Sequence, residues 1–293
     1  MDGVIIVDKP EGWTSHDVVG QIRRLANTSK VGHLGTLDPM ATGVLPLVVG
    51  RATRLAQFLS TGDKHYRGRI QFGWSTDTYD REGSPTSDPV EPRIDRDCLE
   101  RNLAAFRGAI RQTPPPFSAK KIAGIPAYRL ARKKIPVELA PVEVEIFGLD
   151  LVSLEGSVAE VTVHCSTGTY LRSIAHDLGR AIGCGAFLTM LHRTAVGGFR
   201  DSGARSIDEL RSLAADGRLG ESLIPASELL PQFPAATVDQ LTAGQIRQGR
   251  DFRISPFLAR ADAKYVKAIG SEGELIAIGE ARLPHLYHPI LVF

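Results

Sequence analysis

Gly32-His33-Leu34-Gly35-Thr36-Leu37-Asp38-Pro39-Met40-Ala41-Thr42-Gly43 has neither helical nor strand periodicity and is dense in Gly, Thr, Asp and Pro. That composition breaks any single regular element, yet it holds too many conformation-setting residues for a linker, and it reads as a functional loop. Taken alone, Asp38 before Pro39 is a turn residue and His33 a structural histidine. No GxxxxGK(S/T) or GxGxxG spacing fits here, which argues against a phosphate-cradling loop.

On the N-terminal side, Gly3 to Val7 is a short apolar run of strand type, closed by the loop Asp8-Lys9-Pro10-Glu11-Gly12. Ser15 is an expected N-cap for a helix whose Val18, Val19, Ile22, Leu25 and Ala26 share one face. On the C-terminal side, Leu45 to Val49 predicts a buried strand. Lys64 to Gly73 predicts a half-buried one, with Tyr66, Gly68, Ile70 and Phe72 on one face. Leu99, Leu103, Phe106 and Ile110 predict an amphipathic helix entered through Asp95 or Asp97 and ended by Pro114-Pro115-Pro116. Val142 to Leu154 and Ser157 to Cys165 predict a hairpin across Glu155-Gly156. After the turn at residues 166–169, a helix carries Leu171, Ile174, Leu178 and Ile182 on its apolar face. Ser206-Ile207-Asp208-Glu209 has the form of a capping box. The proline-punctuated stretch from Pro225 to Pro234 is the expected boundary, followed by a helix over Thr237 to Gln248 and short strands over Tyr265 to Phe293.

With 293 residues, two domains are expected. Hydrophobic residues at 43% and charged residues at 23% exclude a disordered chain. No apolar run reaches membrane-spanning length, and Met1-Asp2-Gly3 lacks the basic start of a secretory signal, so a cytoplasmic location is expected. Cys98, Cys165 and Cys184 are scattered and offer no CxxC pair for zinc. Net charge is only +2, so a nucleic-acid partner must be argued from local clustering. From Ser118 to Pro136 there are six basic residues (Lys120, Lys121, Arg129, Arg132, Lys133, Lys134) and no acidic one. A solvated helix face is the plain reading of such a run; Phe117 and Tyr128, on which bases can stack, turn it towards RNA. Asp77, Asp80 and Glu82 lack the spacing of a calcium loop, and no metal is expected there.

Seven separated motifs then occur in one order. Lys9-Pro10-Glu11-Gly12-Trp13-Thr14-Ser15 and the loop from Gly32 to Gly43 are followed by Asp63-Lys64-His65-Tyr66 and by Thr76-Asp77-Thr78 with Asp80. Phe117-Ser118-Ala119-Lys120-Lys121, Gly168-Thr169-Tyr170-Leu171-Arg172 and Leu191-His192-Arg193-Thr194 complete the set. In this respect the chain resembles the TruB family of bacterial tRNA pseudouridine-55 synthases over about two hundred residues.

The resemblance implies an α/β (α+β) catalytic fold on a mixed, largely antiparallel sheet over residues 1–228, with a basic RNA-binding insertion at about 118–136. It also implies a small β-rich, PUA-like C-terminal domain over 232–293. It implies isomerisation of a T-loop uridine in tRNA without metal or organic cofactor. Asp38 would be the nucleophile, Arg172 its ion-pair partner, and Tyr66 would stack on the uracil. His33, Tyr170, Leu191, Asp80, Lys9 and Lys64 would contact the substrate, and Lys120, Lys121, Arg129 and Arg132 the RNA backbone. The expected partner is the T arm of tRNA, engaged by a monomer with no membrane and no obligatory protein partner. A tRNA-folding protein and a guide-RNA-dependent synthase subunit are the alternatives.

Overall fold

The computed structural model describes every residue except 119, 123, 134, 137, 138, 259 and 261, together with the side chains of Lys121, Pro126 and Arg132 among those left out. The first half of the chain runs β1 (Gly3–Lys9), α1 (Ser15–Leu25), β2 (Val31–His33), β3 (Thr42–Val49), α2 (Ala56–Leu59), β4 (Lys64–Phe72), α3 (Arg96–Ala104) and β5 (Gly108–Gln112). A small hairpin, β6 (Lys121–Ile122) and β7 (Ile125–Pro126), and the short α4 (Ala127–Arg132) lead to β8 (Val142–Glu155) and β9 (Val158–Cys165). Next come α5 (Leu171–Ile182), β10 (Ala186–Val196), β11 (Phe199–Arg200), α6 (Ile207–Ala215) and β12 (Leu223–Pro225). The last stretch is β13 (Ala235–Thr237), α7 (Gln240–Arg247), β14 (Phe252–Arg253), β15 (Tyr265–Ile269), β16 (Leu275–Leu283) and β17 (Leu286–Val292).

The large sheet has the order β12-β1-β3-β10-β4-β9-β8-β5, with β2 on β3 and β11 on β10. Its pairs are antiparallel except β3 with β10, so this is the mixed, largely antiparallel sheet expected. The parallel pair sets Thr42 and Gly43 beside His192 and Arg193, joining the start of β3 to the centre of the sheet. A Cβ on Gly43 would lie 2.3 Å from the Arg193 carbonyl, and φ there is +97°, so only glycine fits this crossing.

β4 alternates as its sequence predicts, with Lys64, Tyr66, Gly68, Ile70 and Phe72 turned inward. α5 buries Leu171, Ile174 and Leu178 and ends at Gly183, whose φ of +88° makes a left-handed cap. α6 begins with the expected capping box between Ser206 and Glu209.

Three expectations change. The N-cap of α1 is Thr14, whose hydroxyl accepts from the Asp17 amide while the Asp17 carboxylate takes the Thr14 amide; Ser15 is turned inward instead. The helix predicted to reach Ile110 ends at Ala104, because Gly108, at φ +82°, turns the chain into β5, and the prolines close that strand rather than a helix. The helix expected from Thr237 starts at Gln240, capped by Asp239, after Ala235–Thr237 has joined a strand.

The second sheet, β13-β15-β16-β17-β14, begins beyond the proline-rich stretch. It shares an apolar cluster with the first, in which Val4, Ile6 and Val48 pack with Ile278, Leu291 and Phe293. Lys267 crosses the same junction and donates to the carbonyls of Ser227 (2.9 Å) and Leu229 (2.8 Å). No helix among the described residues is long and apolar enough to cross a membrane.

Candidate active site

The loop between β2 and β3 is held on both sides of Asp38. Ser15 Oγ accepts from the Leu37 amide (2.8 Å) and donates to the Leu37 carbonyl (3.1 Å). The Pro39 carbonyl accepts from the Gly12 amide (2.9 Å) and from Lys9 Nζ (3.2 Å). Asp38 is therefore clamped between neighbours that the first motif, Lys9 to Ser15, grips through backbone atoms.

Lys9 is fully buried and also donates to the carbonyls of Pro10 (2.9 Å) and Trp13 (2.6 Å). Desolvation pushes its ammonium down to about 8, against the pull of Asp38. The structure thus places Lys9 behind the loop as a brace.

Arg172, the second residue of α5, projects into the same place. Its Nε lies 2.9 Å from Asp38 Oδ2 and its Nη2 donates to Asp38 Oδ1 at 3.2 Å. Its Nη1 lies 3.3 Å from Asp80 Oδ2, and further N–H groups reach the carbonyls of Thr78 (3.1 Å) and Phe117 (3.0 Å). The Arg172 side chain is 5% exposed and that of Asp80 4%, whereas that of Asp38 is 36% exposed. The guanidinium is thus a fixed buried cation, and only one of its two carboxylates opens to solvent. Asp80 also accepts from the Thr78 hydroxyl and the Glu82 amide, so the structure sets it behind Arg172. Desolvation, and then the nearby Asp80 and Asp38, push the Glu82 carboxyl up.

Asp38, Arg172, Tyr66, Tyr170, Lys64 and Leu191 come together around one cavity of about 260 Å³, walled further by Gly35–Leu37 and Thr167–Thr169. Tyr66 and Leu191 give it apolar surfaces from neighbouring strands β4 and β10. Burial pushes the Tyr66 phenol up to about 12, partly offset by Arg193 beside it. Lys64 Nζ donates to Thr167 Oγ1 at 2.5 Å, and burial lowers its ammonium from the ordinary value. His33 ends β2, outside the cavity lining, with a buried Nδ1 that makes no hydrogen bond among the described residues and with burial lowering its basicity.

Sequence reasoning gave no role to two supports, one of them quoted only as part of a motif. Arg193 is fully buried; it donates through Nε to Val44 O (2.8 Å) and through Nη2 to Gly35 O (3.0 Å), supporting the cavity wall at Gly35. Its place two residues after Leu191 on a strand, hence on the same face, was the available signal. Gln112 exchanges two hydrogen bonds with the Tyr170 backbone, 2.7 and 2.9 Å, and fixes the entry to α5. Of the basic run, Lys120, Arg129 and Lys133 are exposed, and the side chains of Lys121 and Arg132, like all of Lys134, lie outside the described residues.

The chain is similar to known proteins along its length. Residues 23–171 fit the family model described as TruB family pseudouridylate synthase (N terminal domain), and residues 172–231 that described as tRNA pseudouridylate synthase B C-terminal domain. The tRNA pseudouridine synthase B of Solibacter usitatus is 58% identical over 292 residues, covering 100% of both chains. That of Aromatoleum aromaticum is 42% identical, covering 96% of this chain and 89% of its own. Among solved structures, a chain of a Cbf5-Nop10-Gar1 complex superposes with a TM-score of 0.69 at 26% identity, covering 97% of this chain and 79% of that one.

Proposed function

The chain belongs to the TruB family of pseudouridylate synthases, and from that membership we propose that it isomerises uridine 55 in the T loop of tRNA to pseudouridine, with the base extruded into the cavity and Asp38 as nucleophile. The observation that carries this reading is the Asp38–Arg172 pair in the wall of a cavity flanked by Tyr66 and Leu191.

The reaction breaks C1′–N1, turns the uracil and forms C1′–C5; the C5 proton leaves and N1 gains a proton, so that the formula is unchanged. A carboxylate attacking the sugar C1′ or the uracil C6 divides that change into easier steps. For this, Asp38 must be rigid, charged and reachable. Its backbone is tethered at Leu37 and Pro39, Arg172 supplies the counter-charge, and its own side chain is the open member of the triad. Tyr66, with its phenol held neutral across the physiological range, offers a flat uncharged face for the detached uracil, and Leu191 an apolar one. Stacking of about 1–3 kcal/mol per base offsets a large part of the few kcal/mol needed to unstack the nucleotide. Exposed Lys120 and Arg129 would meet tRNA phosphates, which supply affinity but not base choice. On this reading tRNA is the partner of a cytoplasmic monomer, residues 1–228 form the catalytic domain and 232–293 a smaller RNA-binding one.

Replacing Asp38 by Asn tests it directly, because Asn serves an Asp-Pro turn almost as well but is a very poor nucleophile. Tritium release from C5-labelled uridine in a tRNA transcript should vanish while tRNA binding persists. Release near the unsubstituted rate would make Asp38 a turn residue and end the proposed mechanism.

A further inference from the structure

Asp63 belongs to the motif Asp63-Lys64-His65-Tyr66, but the cavity uses only Lys64 and Tyr66. Side chains alternate along a strand, so His65 leaves β4 on the face away from the cavity. Directly across on β9 stands His164, its partner in the antiparallel register. The two imidazoles stack, with centroids 4.0 Å apart and planes 13° from parallel. Asp63, two residues earlier, closes the group: its carboxylate is hydrogen-bonded to His164 Nε2 and lies 3.8 Å from His65 Nε2. The three donor atoms all fall within 4.8 Å of one another, and no other His/Cys/Asp/Glu group of this kind exists among the described residues.

We propose that Asp63, His65 and His164 form a surface site for one borderline divalent cation, Zn²⁺ in the first place, on the sheet face opposite the cavity. The donor set, two imidazole nitrogens and one carboxylate oxygen, is that of zinc and its neighbours rather than of hard Mg²⁺, which prefers oxygen ligands and keeps its waters. A fourth position is left to water. The frame is rigid where it must be. Cross-strand pairing fixes the two histidine backbones, and the Asp63 carbonyl accepts from the Gly197 amide at 2.8 Å. The side chains are free to adjust, being roughly 40% exposed (36%, 36% and 41%). Binding requires the rings to tilt out of the stack so that both Nε2 lone pairs converge, and the proton shared between His164 Nε2 and Asp63 passes to Nδ1 or to solvent. An occupied site would staple the start of β4 to β9, two strands that carry or adjoin Lys64 and Tyr66.

The test uses the full chain freed of metal by a chelator and titrated with ZnCl₂ by calorimetry, with MgCl₂ as the contrast. One saturable equivalent of Zn²⁺ is expected, with affinity at least tenfold weaker in His65→Gln and in His164→Gln, and no uptake of Mg²⁺. Two of the 8 histidine imidazole resonances should shift as Zn²⁺ is added, a readout that needs no variant to fold. Zn²⁺ should also raise the melting temperature of the unsubstituted chain alone. Absence of saturable Zn²⁺ uptake, uptake unchanged in a variant carrying both His65→Gln and His164→Gln, or shifts at other histidines would each overturn the proposal and leave a hydrogen-bonded histidine stack.

Discussion

Asp80 Oδ2 lies 3.3 Å from the same Arg172 guanidinium that Asp38 meets at 2.9 Å, so one buried cation is shared by two carboxylates. Asp80 is the closed member, tied to Thr78 and Glu82, and acts by fixing Arg172. In Asp80→Asn the amide must either point an N–H at Arg172 or give up those two donors. We expect kcat to fall about 10- to 100-fold with KM little changed, as for a small misplacement of a reacting group. The chain should also lose about 1–3 kcal/mol of stability, because Arg172 keeps Asp38 as its counter-charge while one buried hydrogen-bonding group near residue 80 is left unsatisfied. Single-turnover assays and urea melts check both, and an unaffected kcat would remove Asp80 from the positioning chain.

Arg172 itself makes contacts that no single ammonium can reproduce: Asp38, Asp80 and the carbonyls of Thr78 and Phe117. The planar fork is what matters. Arg172→Lys keeps the charge and should still lose activity about 100-fold or more, the scale of losing one fixed charge-stabilising donor. Near-normal turnover by the lysine variant would show that charge alone suffices.

Ser15 offers a gentler probe, because it never lines the cavity. Losing its pair of hydrogen bonds to Leu37 in Ser15→Ala should cost about 1–3 kcal/mol of stability, since the Leu37 amide is left buried and unpaired. Activity should fall while tRNA affinity holds. A variant with reduced affinity but normal single-turnover rate would place Ser15 in substrate binding instead.

These residues also show what could be read in advance. β4 and α5 were legible because their burial follows local periods, two for the strand and 3.6 for the helix. The misread helix at Ile110 satisfied the same period, but the backbone conformation of Gly108 overrode it, and side-chain spacing cannot report that. The motifs brought Asp38, Tyr66 and Arg172 into one set through resemblance, while the two-carboxylate sharing at Arg172 was invisible. It depends on a contact between loops distant in sequence. Arg193 escaped for a related reason: an arginine reads as surface, and only the parallel crossing of β3 and β10 surrounds it with carbonyls.

Lys9 predicts a pH dependence of stability. Its pKa is about 8 in the folded chain and near the ordinary 10.5 when unfolded, hence lowered by folding. Between those values the unfolded chain holds a proton that the folded chain has shed, so the Lys9 contribution to stability rises with pH through that window and is at its least favourable below about 8. The slope is at most about 1.4 kcal/mol per pH unit. Urea midpoints of the unsubstituted chain minus those of Lys9→Met, measured from pH 7.5 to 9.5, should climb with pH. A flat difference would mean that the three carbonyls hold the ammonium fully charged.

The exposed basic run makes a claim separable from the chemistry. Lys120, Arg129 and Lys133 stand on the segment between β5 and β8 whose base, at the Phe117 carbonyl, is tied to Arg172. If they meet phosphates, replacing all three by Ala should lower the slope of log affinity against log salt by about 2–3 and weaken tRNA binding, because each neutralised phosphate releases close to one counterion. The single-turnover rate at saturating enzyme should stay within about twofold, since none of the three reaches the cavity. An unchanged salt slope would make the run a solvated surface. A large loss of single-turnover rate with normal binding would instead mean that the segment acts on Arg172 through Phe117.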